Sequence, residues 1–223
     1  MGHDDVMTKL SGQQIADTAP DGWSYLYDAL RTRIATKDFT TGLALVDAIG
    51  KAAEEAGHHP DLNLRYSHVD VGLSSHDVHG VTERDIALAA TISALAREAG
   101  LTPSGAGLTH FELGLDTPEF AAVLPFWGAV LGLELPSGPD AGAEVRDPAG
   151  VLPTIWFQQS GSAEPRQRWH PDLFVHPDEV QPRIDAAVAA GGALVSDAEA
   201  PSFWVLADPE GNRVCLCTWQ DRD

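Results

Sequence analysis

HFELGLDTPEF, residues 110–120, returns sixty positions later as HPDLFVHPDEV, residues 170–180, setting His110 over His170, Glu112 over Asp172, Leu113 over Leu173 and Glu119 over Glu179. The register persists: Gly132 falls on Gly192, and with one inserted residue Asp147-Pro-Ala-Gly150 falls on Asp208-Pro-Glu-Gly211. Each copy reads as a strand, a helix, then strands joined by a DPxG turn. Two copies are too few for a solenoid. The modules, about 107–160 and 167–219, are therefore expected to pair their two sheets into one pseudo-symmetric cup or barrel.

Working outward, composition changes near residue 100, where thirteen of the fifteen prolines still lie ahead. Glu98 to Gly107 supplies a glycine helix stop, a proline and small residues, the signature of a helix ending in a linker. This predicts a domain at 1–100, a linker at 101–106 and a second domain at 107–223. In the first, Ser11 caps a short helix to about Ala19, Ser24–Thr36 is strand-like, and Thr40 or Thr41 opens a helix that Gly57 ends. Leu62 to Ser74 alternates as one half-buried strand with Val69, Val71 and Leu73 inward. Thr82-Glu-Arg-Asp85 has capping-box form and opens a helix to Ala99. The order implies an α+β domain whose sheet is covered on one face by helices.

The 223 residues carry 33 acidic against 14 basic side chains, a formal charge of −19. A nucleic-acid surface needs a patch of Lys and Arg, and only three lysines occur, so no nucleic-acid partner is expected. No apolar run reaches the ~18–20 residues of a membrane span, and MGHDDVMTKL lacks a signal-peptide core, so a cytoplasmic protein without a membrane partner is the expectation. Cys215 and Cys217 sit two apart on one strand face and are read as reduced, with no role beyond packing.

Five of the nine histidines, His58, His59, His68, His76 and His79, fall within 22 residues. Imidazole both donates and accepts protons near neutral pH, so the cluster points to acid–base chemistry. His58 and His59 follow a helix stop and are fixed by Pro60; His76 ends the alternating strand; Asp85 begins the next helix. All four are expected to face one cleft. His68 and His79 read as a solvated strand residue and a turn residue, and Glu54 as a helix surface charge. A zinc site from His58, His76 and Asp85 ranks below metal-free chemistry, because the spacing is not that of a close ligand pair.

Glu54, His58-His59-Pro60, Tyr66, His76 and Asp85, with DGW at 21–23 and GVTERD at 80–85, resemble the pterin-4a-carbinolamine dehydratase family, over roughly residues 8–99. The resemblance implies a hydro-lyase, 4a-hydroxytetrahydrobiopterin dehydratase, which takes water from a 4a-hydroxytetrahydropterin to give the quinonoid dihydropterin and needs no cofactor. It implies His58 and His76 as the acid–base pair, without deciding which donates, His59 as the residue orienting the pterin, and Asp85 as the carboxylate that fixes a neighbouring imidazole. Around them it implies substrate contacts from Gly57, Pro60, Ser74, Ser75 and Asp77, with Trp23 packing near the site. The expected partner is a small pterin, and a homo-oligomer is allowed.

The duplicated half, with LPFWGAVLGLEL (124–135) and VLADPEGNRVCLC (205–217), resembles the vicinal oxygen chelate superfamily, in particular its glyoxalase- and bleomycin-resistance-like members. The fold class is thus α+β, an antiparallel sheet covered by helices followed by a duplicated βαβββ domain. Metal-holding members use an early residue of the first strand and a carboxylate of the last strand in each module. Here His110 and His170 hold the early positions, but Thr154 and Cys215 the closing ones, so no glyoxalase-type metal is expected. The remaining metal candidates are His110 with Glu112 and His170 with Asp172, paired on one strand face by period-two alternation. Trp127, Trp156, Trp204 and Trp219 are candidates to line a ligand cup. Two further readings stay open: a metal-dependent lyase or dioxygenase in the second domain, and a non-catalytic binding protein.

Overall fold

The computed structural model describes residues 8–119, 144–147, 150, 152–160, 169–189, 191–207 and 213–222, with positions 121, 124, 128 and 133 between them. Most of the expected helix at 124–135, the DPEG turn at 208–211 and Trp127 lie outside the described residues. Contacts divide the chain into two compact units, Met1–Thr109 with Val175–Glu179 and Thr218–Asp223, and His110–Phe174 with Val180–Cys217.

In the first unit, α1 (Gly12–Thr18) is capped by Ser11, whose hydroxyl accepts the Gln14 N–H while the Gln14 side chain accepts the Ser11 N–H. Strands β1 (Ser24–Leu26) and β2 (Ala29–Ala35) form a hairpin on the two-residue turn Tyr27-Asp28, both at positive φ as the twist of such hairpins requires. Helix α2 (Phe39–Ala56) begins earlier than Thr40 or Thr41: Asp38 is its N-cap, and its carboxylate accepts the Thr41 N–H. Those bonds from Thr41 hold the Asp38 carboxyl below the usual carboxylate range.

The stretch read as one strand is two. β3 (Asp61–Leu64) turns at Arg65-Tyr66-Ser67 and pairs antiparallel with β4 (His68–Leu73). The Arg65 N–H closes that turn on the His68 carbonyl at 2.8 Å. Alternation runs through both strands, and the turn contains no Gly or Pro to mark it. Helix α3 (Glu83–Glu98) follows, then β5 (Pro103–Ser104) on β2, with Leu101 buried in the core. The sheet order is β1-β2-β4-β3. Ile34, Val69 and Leu73 meet Leu45 and Ile49 of α2 and Leu88 and Ile92 of α3 in one core. At about 1.5–3 kcal/mol for each large apolar side chain buried, this packing holds the C-terminal end of α2 and the N-terminal end of α3 in fixed places. On the polar face Arg33 grips Asp70 with two bonds of 2.6 and 2.8 Å.

In the second unit the two modules join into one mixed seven-stranded sheet. Its strands are β6 (His110–Thr117), β7 (Glu144–Val145), β8 (Thr154–Gln159), β9 (Trp169–Phe174), β10 (Ala193–Ser196), β11 (Phe203–Ala207) and β12 (Arg213–Cys217), with α4 (Pro177–Ala189) after β9. The order is β10-β11-β12-β9-β6-β8-β7. Each module pairs its first strand parallel to its last, β6 to β8 and β9 to β12, and the modules meet along the antiparallel seam of β6 and β9. The repeat is thus visible in the topology as well as in the letters. Among the described residues no helix is long and apolar enough to cross a membrane.

Candidate functional site

Three chain ends of the first unit build its site: the end of α2, the end of β4 and the start of α3. Gly57 takes a left-handed φ of 60° and ends α2. The Gly57 N–H bonds the Glu54 carbonyl and the His58 N–H bonds the Ala53 carbonyl, both at 3.2 Å, which is the double closure of a Schellman motif. His58 is therefore held by the helix end itself. A Cβ on Gly57 would meet no atom within 4 Å, so only the backbone conformation demands glycine. Gly57→Ala is expected to cost about 1 kcal/mol, the penalty of an L-residue in that region, and Gly57→Asn less. Thermal unfolding of the two variants checks this.

The His58 ring is nearly buried, and its Nε2 lies 2.6 Å from Oδ1 of Asp85, which is wholly buried. The other oxygen of Asp85 accepts from the Ser75 hydroxyl at 2.7 Å, the Thr82 N–H at 2.8 Å and the Thr82 hydroxyl at 3.1 Å. Asp85 is thus both the third residue of the capping box that starts α3 and the carboxylate that orients His58. An acceptor-only oxygen at Nε2 places that ring proton on Nε2 and leaves the Nδ1 lone pair for a ligand.

His76 is exposed in a short loop that Ser75 and Gly80 close with a 2.7 Å bond from the Ser75 N–H. Asp77, in the same loop, is ion-paired to Arg84 at 2.5 Å, and the guanidinium holds its carboxyl below the usual range. His59 is exposed and lies 3.2 Å from Glu54, so Glu54 is its partner and not only a surface charge. Pro60 leads from this corner into β3. Ser74 donates to the Asp28 carbonyl at 2.9 Å, tying the loop to the β1–β2 turn. Trp23 is a core residue: its indole N–H is committed to the Ser93 hydroxyl at 2.8 Å. The structure therefore joins His58, Asp85 and Ser75 directly. Thr82 was passed over as a site residue, although the capping-box pattern that contains it was readable.

In the second unit Glu112 and Asp172 face each other across the β6–β9 seam, both buried, with Thr154 beside Glu112 and Cys215 beside Asp172. His170 Nε2 is 3.6 Å from Asp172 Oδ1, and His110 Nε2 is 3.9 Å from Glu112 Oε1. Burial pushes the Asp172 carboxyl above its ordinary range; His170 and the Cys215 thiol pull it down, and Glu112 adds to the rise. Cys215 thus faces a carboxylate.

A family profile described as "Pterin 4 alpha carbinolamine dehydratase" matches residues 8–95, and one described as "Glyoxalase-like domain" matches residues 112–217. A Nocardia farcinica protein named "Putative pterin-4-alpha-carbinolamine dehydratase" is 42% identical over 90 residues, 40% of this chain and 95% of its own length. A protein of the same name from Thermomicrobium roseum is 40% identical over 92 residues, 40% of this chain and 99% of its own. The crystal structure of a "transcriptional coactivator/pterin dehydratase" from Brucella melitensis is 32% identical and covers 40% of this chain and 99% of that one, at a TM-score of 0.39.

Proposed function

The chain belongs to the pterin 4 alpha carbinolamine dehydratase family and carries a glyoxalase-like domain behind it, and from that premise we propose that its first unit dehydrates a 4a-hydroxytetrahydropterin by histidine acid–base catalysis. The observation that carries this reading is the 2.6 Å bond between His58 and a buried Asp85 whose other oxygen is engaged by Ser75 and Thr82.

Loss of water breaks the C4a–O bond and forms a C4a=N5 double bond. One proton must leave N5 and one must reach the departing hydroxyl. His58, with Nε2–H bonded to Asp85, takes the N5 proton on Nδ1, and the carboxylate stabilises the imidazolium that results. His76, exposed in the loop between β4 and α3, gives its proton to the hydroxyl, which leaves as water. Solvent then returns the proton from His58 to His76. His59 orients the ring, and Gly57, Pro60, Ser74, Ser75 and Asp77 frame it. Such transfers contribute about 10²–10⁴-fold each.

The test is a direct dehydration assay on 4a-hydroxytetrahydropterin with the whole chain. Acceleration over buffer, reduced in His76→Ala, is the expected result. A wild-type rate equal to that of buffer sinks the reading.

A further inference from the structure

We propose that the second unit binds a divalent cation of the zinc class through His170, Asp172 and Cys215, with the Glu112 carboxylate facing the ion. One donor atom from each of the three lies within 4.8 Å of the others. In a tetrahedral site with bonds of about 2.0–2.3 Å, neighbouring ligand atoms stand about 3.3–3.8 Å apart, so small side-chain adjustments close the set on one ion. The 3.6 Å between His170 Nε2 and Asp172 Oδ1 already has that spacing and is too long for a hydrogen bond.

Two further observations point to a ligand. Glu112 and Asp172 are only 5% and 7% exposed, yet Oε1 of the first and Oδ1 of the second have no hydrogen-bond partner. Two opposed, buried carboxylates with idle lone pairs are costly unless a cation or a shared proton joins them. The site is also shaped around the imidazole. A Cβ on Gly114, which stands opposite His170, would come within 2.6 Å of the His170 ring and 3.0 Å of Trp156. Trp156 meets that ring edge-on at 5.2 Å, fixing its plane.

The donor set selects the ion. One nitrogen, one sulfur and one or two carboxylate oxygens suit zinc or another borderline first-row dication, whereas magnesium and calcium take oxygen alone. His170 and Cys215 stand at the early and closing strand positions to which the superfamily resemblance assigns ligands, with a thiol in place of a carboxylate, and Asp172 lies outside that pattern. Thr154 brings no charge to its position, and His110 packs edge-on against Phe174 at 6.1 Å. Glu112 and Asp172, each two residues beyond the histidine of its strand, supply the carboxylates instead. No step of the proposed dehydration involves this unit, so either reading can fail without the other.

The whole chain, stripped by chelator and titrated with Co²⁺, provides the test. One equivalent should bind with a thiolate-to-cobalt charge-transfer band, and Zn²⁺ should displace it. Cys215→Ser should abolish the band, and Asp172→Asn should keep it while weakening binding about tenfold or more. Cys217→Ser should change neither. Should Cys215→Ser not fold, the stabilisation of wild type by Zn²⁺ and its loss in His170→Gln replace that arm. Absence of stoichiometric uptake, a band that survives Cys215→Ser, or a band lost in Cys217→Ser overturns the proposal. Wild-type protein that takes up no cobalt would mean that Glu112 and Asp172 share a proton.

Discussion

His58→Gln is expected to lower the dehydration rate about 10²–10⁴-fold while leaving the unfolding midpoint close to wild type. Glutamine can still donate one N–H to Oδ1 of Asp85, so the buried carboxylate keeps its partner, but the side chain has no basic nitrogen. The loss should fall mainly on kcat, because proton removal is a transition-state event. Stopped-flow assays over a range of pH, beside thermal unfolding, measure both. A rate within about threefold of wild type would remove His58 from the chemistry. Alanine is the poorer test, since it strips a donor from a buried acceptor and mixes stability with catalysis.

Asp85→Asn is expected to damage both. The carboxylate accepts from Ser75, from the Thr82 N–H and from His58, and an amide offers one acceptor where two are needed. If its oxygen keeps the Thr82 N–H and the helix cap, its NH₂ faces His58 Nε2 and forces that nitrogen to accept. The ring proton then moves to Nδ1, where a base needs its lone pair. A rate loss of about 10²–10⁴-fold follows from the inverted tautomer, as serine-protease triads illustrate for the corresponding substitution. Removing the charge-assisted bonds of a wholly buried carboxylate should also cost about 1.5–3 kcal/mol. Denaturant unfolding and the dehydration assay on one preparation separate the two effects. Full stability with full activity in Asp85→Asn would show that neither role belongs to this residue.

The contrast between these variants shows what the letters could carry. The histidines and Asp85 stand at fixed spacings, and the capping box at Thr82–Asp85 is a local pattern; both were readable because each depends on near neighbours in sequence. That one carboxylate serves both was not, since the junction needs the end of α2, 27 residues upstream of Asp85, brought beside the start of α3. The hairpin at Arg65–Ser67 was hidden because alternation does not record a reversal of chain direction. Lys37 takes φ 64° just before α2, and Asp38, one residue on, is the cap where the sequence offered the hydroxyls of Thr40 and Thr41. The meeting of Cys215 with a carboxylate is hidden for a similar reason. Its neighbour Asp172 is reached only through the parallel register of β9 and β12, which no local pattern announces. The repeat, by contrast, predicted correspondences that the sheet respects: Glu112 and Asp172 meet at the seam, and Thr154 and Cys215 flank them on equivalent strands.

The bond from the Thr82 N–H to Asp85 has one more consequence, in the time domain. A helix end opens more readily than a helix middle, and the amide of Thr82 can exchange with solvent only when its bond to Oδ2 is broken. Each such opening loosens one of the bonds on the carboxylate that His58 meets through its other oxygen. The exchange rate of that single amide therefore reports how often the cap of α3 opens in the resting protein, without any substrate present.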